Sequence, residues 1–412
     1  MFKRLIISTD KVIMSLDILP SYLILDTDIN GRTIKAFCLK NVQIVESLYY
    51  PGVKLFSDNK KYNPIREQIM SLPDIINCSD IVESKLISNI ENCPVFFFIY
   101  NVDNYYHFLY DTLPYLITFR HLKKTIPELK LITNFANEQQ AAFNKFVLEF
   151  LDLLDIKQSD IIIAKHDTLY SSVYISSSYT HDGMSNIPPR QEVYQLYTEL
   201  VNKVANTETP KKIYVSRRAH KHGIYDNIGT NYTSRRSLVN EDELVSFLES
   251  QGYVEVFTEL LSTSDKISLF KNCTHVVGAI GGGLCNVLFS RPETKLTAIM
   301  SPYFMKINSR FNYSFANVQA RYFTDTEHVE KSFYKKYMRV RLKSTNIIGE
   351  IEAVGEKLYV SYSTNQVAGW NAQTKYQQVL VSPTEVDVID NGLNSAWKMN
   401  INTFKKEFLN VE

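Results

Sequence analysis

The chain has 412 residues, with 45 basic and 44 acidic side chains and a formal net charge of +1. That length predicts two lobes, at roughly 100–200 residues per domain, with room for an appended module. Near-neutral charge argues against a dedicated nucleic-acid binder, and 45% hydrophobic with 22% charged residues is the composition of a globular protein with sizeable cores.

The opening Met1-Phe2-Lys3-Arg4-Leu5-Ile6-Ile7 starts as a signal peptide does, but Asp10 and Lys11 cut the apolar run short. No stretch approaches the roughly 18–20 apolar residues of a membrane span. The expectation is a cytoplasmic protein with no transmembrane segment. Short apolar runs then alternate with turn signals at Tyr22–Leu25, Val42–Val45, Val53–Phe56 and Val95–Tyr100, which read as strands. Asn104 to His121 reads as a helix kinked at Pro114, because proline cannot donate to the carbonyl four residues back. A strand near Leu129–Thr133, a helix near Glu138–Leu154, strands near Ile161–Ile163 and Val173–Ile175, and a helix from Gln191 to Ala205 follow. The polar run Asn206-Thr207-Glu208-Thr209-Pro210 marks the lobe boundary.

Beyond it the alternation sharpens: strand Ile213–Ser216, helix from Asn240, strand Tyr253–Phe257, helix Ser264–Asn272, strand Thr274–Gly278 and strand Lys295–Met300. Asn240 followed by Glu243 resembles a capping box, and Gly252 stops that helix. Short connections between alternating strands and helices predict a parallel, Rossmann-like sheet. After about residue 345 the pattern changes to β alternation at Leu358–Tyr362 and Gln378–Val381, then an amphipathic stretch with Trp397, Phe404 and Phe408. The predicted division is therefore 1–205, 206–345, and a β-rich extension or strap over 346–412, returning to the N-terminal lobe. Five scattered cysteines, Cys38, Cys78, Cys93, Cys273 and Cys285, form no CxxC pair and fit buried thiols in a reducing compartment.

Three segments could carry chemistry. The first, Gly278-Ala279-Ile280-Gly281-Gly282-Gly283-Leu284-Cys285-Asn286, takes a strand through a glycine turn into a helix start. Glycines admit close backbone approach, and free amides favour an anion such as a diphosphate; tight strand–helix packing alone would also ask for them. The second is Arg217-Arg218 at a strand end, with Arg235-Arg236 and Asn240-Glu241 downstream. Guanidinium forks there suit phosphate oxygens, although surface pairs look the same. The third, Asp103-Asn104-Tyr105-Tyr106-His107-Phe108-Leu109-Tyr110-Asp111, sets His107 and Asp111 four apart on one helix face. A carboxylate beside an imidazole raises its basicity and fixes its tautomer, as a general base requires; it also holds helices together. The triplet Asp26-Thr27-Asp28 has the form of a metal-binding DxD, but the adjoining Asn30-Gly31 makes a turn the simpler account.

Taken in order, the three segments resemble glycosyltransferase family 61. The arginine-bearing strand, the Arg236-Ser237-Leu238-Val239-Asn240-Glu241 helix start, and Gly278 through Phe289 match the family's C-terminal signature, and Asn104 to Asp111 resembles its N-lobe motif. One position departs: the signature's histidine is Ile280 here, and the alanine that follows is Gly282.

The resemblance implies an α/β protein of GT-B architecture, with two Rossmann-like lobes facing a cleft. It implies an inverting, metal-independent glycosyltransferase using a nucleotide-sugar donor, usually a UDP-sugar, and a glycan or glycolipid acceptor in surface polysaccharide synthesis. On that reading His107 and Asp111 are catalytic, and Asp103, Asn104 and Tyr106 lie on the acceptor side. Arg217, Arg218, Arg236, Asn240, Glu241, Gly278, Gly281, Gly282, Gly283, Leu284 and Asn286 bind the donor. No cofactor, no metal and no nucleic-acid partner are expected, and location is cytoplasmic with room for peripheral contact at the inner membrane face. Two other classes stay open: a non-catalytic carbohydrate- or nucleotide-binding relative, and a sugar-nucleotide epimerase of the same fold.

Overall fold

Short runs of Val, Ile, Phe and Ala form the central strands, because such residues fit a pleated surface buried on both faces. The computed structural model describes residues 87–98, 104–133, 145–182, 185–218, 237–302, 309–329, 338–363, 376–390 and 396–410, with shorter stretches at 17–18, 34, 36–46, 53–57, 60–62, 75–77, 304 and 334. The chain divides into two compact units, Met1–Lys203 and Val204–Glu412. Among the described residues no helix is long and apolar enough to cross a membrane.

In the N-terminal unit, strands Thr168–Ser176, Val95–Phe97, Lys130–Thr133 and Ile161–Ile163 lie side by side in parallel. Beyond Thr168–Ser176 the same sheet turns antiparallel through Ala36–Glu46, Val53–Ser57, Lys60–Tyr62 and Ile75–Asn77. This half departs from the Rossmann-like lobe expected, because antiparallel neighbours need no crossover helix between them. Helices Tyr115–Thr125, Lys145–Leu153 and Gln191–Lys203 each bury an apolar stripe, such as Phe146, Val147, Phe150 and Leu151, and Phe119 meets Phe96 of the sheet at 5.8 Å. The anticipated strand Tyr22–Leu25, the residues Asp26–Asp28 and the anticipated helix start at Glu138 lie outside the described residues.

The C-terminal unit holds a five-stranded sheet, all neighbours parallel, in the order Val254–Val256, Lys212–Val215, His275–Ala279, Lys295–Ile299, Gln319–Phe323. In chain order this is 2-1-3-4-5, a doubly wound arrangement. Its winding reverses between Lys212–Val215 and His275–Ala279, and a ligand crevice opens outside the carboxyl ends of strands at such a switch. Helix Glu241–Ser250 crosses between the first two strands, and Gly252 ends it at φ +80°, a conformation glycine adopts without strain. Helix Thr263–Asn272 returns the chain to His275–Ala279, capped by Ser262, whose hydroxyl accepts from Asp265 N.

The last part of the chain forms two structures. Five antiparallel strands, Arg339–Leu342, Ile348–Val354, Leu358–Ser363, Tyr376–Val381 and Val386–Asp390, make a sheet with its own core of Val340, Leu342, Ile351, Leu358 and Val360. Trp397–Met399 and helix Ile401–Leu409 instead join the core of the parallel sheet. Phe404 meets Phe247 and Phe323 edge-on at 6.2 and 5.1 Å, and Phe408 meets Tyr253 at 5.7 Å. The strap anticipated for the N-terminal lobe therefore closes on the C-terminal unit, where Phe247 and Tyr253 offer it an apolar face.

Asn240 fastens that strap. Its Nδ2 donates to Met399 O at 2.9 Å and its Oδ1 accepts from Met399 N at 3.2 Å. The anticipated capping box is thus replaced: the Asn240 side chain makes no cap bond to the helix, because it is occupied as a strand-like partner of Met399. Asn240→Ala leaves both Met399 groups without their partner and should destabilise the C-terminal unit by about 1–3 kcal/mol in denaturant titrations.

Candidate active site

In the N-terminal unit Asn104 starts the helix: its Oδ1 accepts from the amides of Tyr106 and His107 at 3.1 and 3.3 Å. The helix then passes into a π-turn over Phe108–Thr112, with Leu113 N donating to Phe108 O at 2.7 Å. Such bulges recur at functional sites because they re-aim side chains. Here Asp111 Oδ2 comes to 2.8 Å from His107 Nδ1. The Asp111 side chain is 2% exposed and that of His107 is 32% exposed, so a buried carboxylate holds an imidazole that reaches the surface. An ionised carboxylate only accepts, so His107 Nδ1–H is the donor of this bond. Tyr106 is buried, stacked on Tyr110 at 5.9 Å and tilted against His107 at 5.5 Å. It therefore packs against the imidazole. Asp103 lies outside the described residues.

Sequence reasoning missed the other side of Asp111. Thr180 Oγ1 donates to Asp111 Oδ1 at 3.3 Å, and His181 Nδ1 lies 3.8 Å from the same oxygen. The available signal was a Ser-Tyr-Thr-His run directly beyond a predicted strand, but nothing local tied it to Asp111.

In the C-terminal unit Arg217 follows the first strand at the switch point. Glu241, the first helix residue and 2% exposed, gathers the strand end: its Oε1 accepts from Tyr214 OH at 2.8 Å, Arg217 N at 2.9 Å and Ser216 Oγ at 3.1 Å. Burial, then the nearby Glu241 carboxylate, push the Tyr214 hydroxyl well above its ordinary pKa, so it stays a donor. Glu241 is thus a backbone anchor for Arg217 rather than a ligand-facing group. The Arg217 guanidinium lies against the glycine turn; a Cβ built on Gly281 would sit 2.5 Å from its Nη1. Gly281 is glycine because Arg217 occupies that space. Gly283 gives way in the same manner to Thr258 Oγ1, and Gly278 packs against Leu284 and Val215.

Arg218 points to other work. It forms a two-pronged pair with Glu255, both bonds at 2.6 Å, and a third 2.6 Å bond to Asp242, and these hold its pKa up. Arg236 lies outside the described residues. The helix expected from Gly283 is a 3-10 segment, Leu284–Phe289. Leu284, Cys285 and Asn286 already donate their amides to the carbonyls of Gly281, Gly282 and Gly283 at 3.2–3.4 Å, and Asn286 Nδ2 adds a 2.8 Å bond to Gly283 O. A segment this short has little dipole, so the positive charge at the turn comes from Arg217. Ile280 is 3% exposed, with its amide bound to Ile299 O at 2.9 Å. A cleft of about 440 Å³ also opens beside the strap, lined by Asn240, Glu243, Asp325 and Lys398, but no residue of the glycine turn borders it.

Glu259, which no motif flagged, stands beside this turn on the 3-10 segment Thr258–Leu260. Among the described residues its buried Oε1 has no hydrogen-bond partner. Burial pushes the carboxyl upward, opposed in part by a hydrogen bond from its own backbone amide and then by Arg217 and Lys266. The folded state therefore holds the Glu259 proton to higher pH than the unfolded chain does, so stability declines as pH rises from the ordinary carboxylate range through the raised value. Glu259→Gln removes this loss. In scanning calorimetry its Tm should match wild type below the ordinary glutamate pKa and exceed it at neutral pH; equal midpoints at every pH would contradict the assignment.

The C-terminal unit is thus a doubly wound parallel sheet with an arginine seated against a glycine turn at its switch point. Residues 105–297, which take in His107, Asp111, Arg217 and the glycine turn, match the family Glycosyltransferase 61. That stretch is a little under half of the chain, and the match supports a glycosyltransferase. No curated protein matches the chain significantly.

Proposed function

We propose that the protein transfers a sugar from a nucleotide-sugar, of the UDP class, to a hydroxyl of a glycan or glycolipid acceptor, with inversion and without a metal ion. The observation that carries this reading is the seating of Arg217 against Gly281 at the sheet's switch point, inside the segment that matches the family. In a GT-B arrangement the donor belongs to the C-terminal unit and the acceptor to the N-terminal one.

The chemistry follows from the side chains. His107 Nε2 takes the acceptor hydroxyl proton while the oxygen attacks the anomeric carbon from the face opposite the leaving group. As the new carbon–oxygen bond forms, the bond to the diphosphate breaks, and the electron pair leaves on the phosphate oxygen. Arg217 and the backbone of Gly281–Gly283 face that developing charge, and preorganised donors of this kind supply what a metal would otherwise supply. The buried, unsatisfied Glu259 Oε1 suits a hydroxyl donor on the same ligand.

Gly281→Ala tests the seating. The added Cβ meets only the far end of the Arg217 side chain, so the fold should persist while the guanidinium moves. Donor affinity should fall by about tenfold, the 1.4 kcal/mol expected of one misplaced charge-assisted bond, with Tm unchanged. The activity itself is tested by incubating UDP-sugars with the protein in a chelator and following release of UDP and the anomeric proton by NMR. A first-formed product of opposite anomeric configuration supports the proposal; retention of configuration, or conversion of the free donor with no bond to an acceptor, overturns it.

The buried Ile280 favours a second reading, a non-catalytic nucleotide-binding relative. Nucleotide binding with no UDP release from any donor would select it.

A further inference from the structure

Asp111 carries an imidazole-bearing partner on each oxygen, and only one of the two belongs to the catalytic pair described above. Oδ2 accepts from His107 at 2.8 Å; Oδ1 accepts from Thr180 Oγ1 at 3.3 Å. Thr180 in turn lies 3.0 Å from His181 Nδ1. A threonine hydroxyl has one proton, and the Asp111 carboxylate claims it. The 3.0 Å contact must then run the other way, with His181 Nδ1–H donating to Thr180 Oγ1. The contact of the same nitrogen with Ser178 Oγ is longer, at 3.5 Å. His181 is therefore a fixed Nδ1–H tautomer at the end of an ordered chain: His181 to Thr180 to Asp111 to His107.

The loop bearing this chain is built to stay still. Ser178 Oγ accepts from the amides of both Thr180 and His181 at 3.2 Å, and Thr180 O accepts from Ile187 N at 3.1 Å. Thr118, on the helix that follows Asp111, lies within hydrogen-bond distance of both Ser176 Oγ and Tyr179 OH at 2.9 Å. Tyr179 also packs edge-on to Tyr115 at 6.4 Å. Thr180, His181 and Asp111 are all nearly excluded from solvent, so water cannot replace a lost member of the chain on equal terms.

We propose that His181, acting through Thr180, is a positioning residue that fixes the rotation of the Asp111 carboxylate and so aims His107 Nε2 at the acceptor. The proposal rests on the reading of His107 as the base. Thr180 is one of the groups that hold the rotation of the Asp111 carboxylate, so its loss loosens the 2.8 Å bond to His107. Outer partners of a working group commonly contribute 10–100-fold in activity.

The test compares Thr180→Val, Thr180→Ser, His181→Leu and His181→Asn with His107→Ala. Thr180→Val keeps the shape of threonine and removes only the hydroxyl, so it separates positioning from folding. Expected are a fall in kcat of about 10–100-fold for Thr180→Val and His181→Leu, with donor KM kept. Thr180→Ser and His181→Asn, which restore the hydroxyl and an N–H at the Nδ1 place, should recover most of the turnover. The ring ¹⁵N shifts of His107 should move from a single Nδ1–H tautomer toward a mixture in Thr180→Val. Wild-type kcat and an unchanged His107 tautomer in Thr180→Val, alongside an inactive His107→Ala, overturn the proposal alone. A fully active His107→Ala overturns the base assignment, and this proposal with it.

Discussion

Replacing His107 by alanine should lower turnover by about 10²–10⁴-fold while leaving nucleotide affinity near wild type. The size follows from the proposed role, in which a positioned base removes the acceptor proton as the carbon–oxygen bond forms. The separation from donor binding follows from the fold, because His107 lies in the Met1–Lys203 unit and the glycine turn in the Val204–Glu412 unit. Steady-state kinetics with saturating donor, paired with calorimetric titration of the nucleotide, reads both numbers. Loss of nucleotide affinity equal to the loss of turnover would assign His107 to binding instead. Asp111→Asn should follow His107→Ala in direction, since an amide can present an N–H to Nδ1 and favour the wrong tautomer.

Arg217→Ala should reduce kcat by roughly 10²–10³-fold and weaken the nucleoside diphosphate, because the departing charge loses its one placed guanidinium in the described turn. Arg217→Lys should recover only part of this, as a single ammonium cannot reproduce a planar fork. Arg218→Ala is the internal control. Its guanidinium is taken up by Glu255 and Asp242, so its removal should lower thermal stability and leave nucleotide affinity in place. An Arg218 variant that loses the nucleotide while Arg217→Ala keeps it would reverse the two roles.

These paired arginines show where sequence reading stops. Both follow a β-branched strand, and by spacing alone either suits an anion. Their difference lies in partners far along the chain: Glu255 is 37 positions from Arg218, and Asp242 is 24. Asn240 shows the same limit, since its cap-like context was real but Met399, 159 positions away, holds its side chain. Thr180, 69 positions from Asp111, could not be tied to it without the fold. What the sequence did carry was periodic. The strands and helices from Lys212 to Ile299 fall within a residue or two of their anticipated bounds, because the strands are short apolar runs buried on both faces and the helices carry apolar stripes at the helical repeat. The antiparallel part of the N-terminal sheet was harder, since short strands carry few repeats and their pairing depends on partners rather than on pattern. His107 and Asp111 were legible as a pair because helical spacing placed them together, and the π-turn between them refines that placement without undoing it.

The central claim is that Arg217 and the glycine turn hold the diphosphate of a nucleotide-sugar without a metal. Isothermal titration of UDP into wild type and Arg217→Ala, in the presence of a chelator, addresses it most directly. The account predicts saturable binding by wild type and a loss of tenfold or more, about 1.4 kcal/mol, in the variant. Equal binding by both proteins, or binding that appears only when a divalent ion is restored, would contradict it.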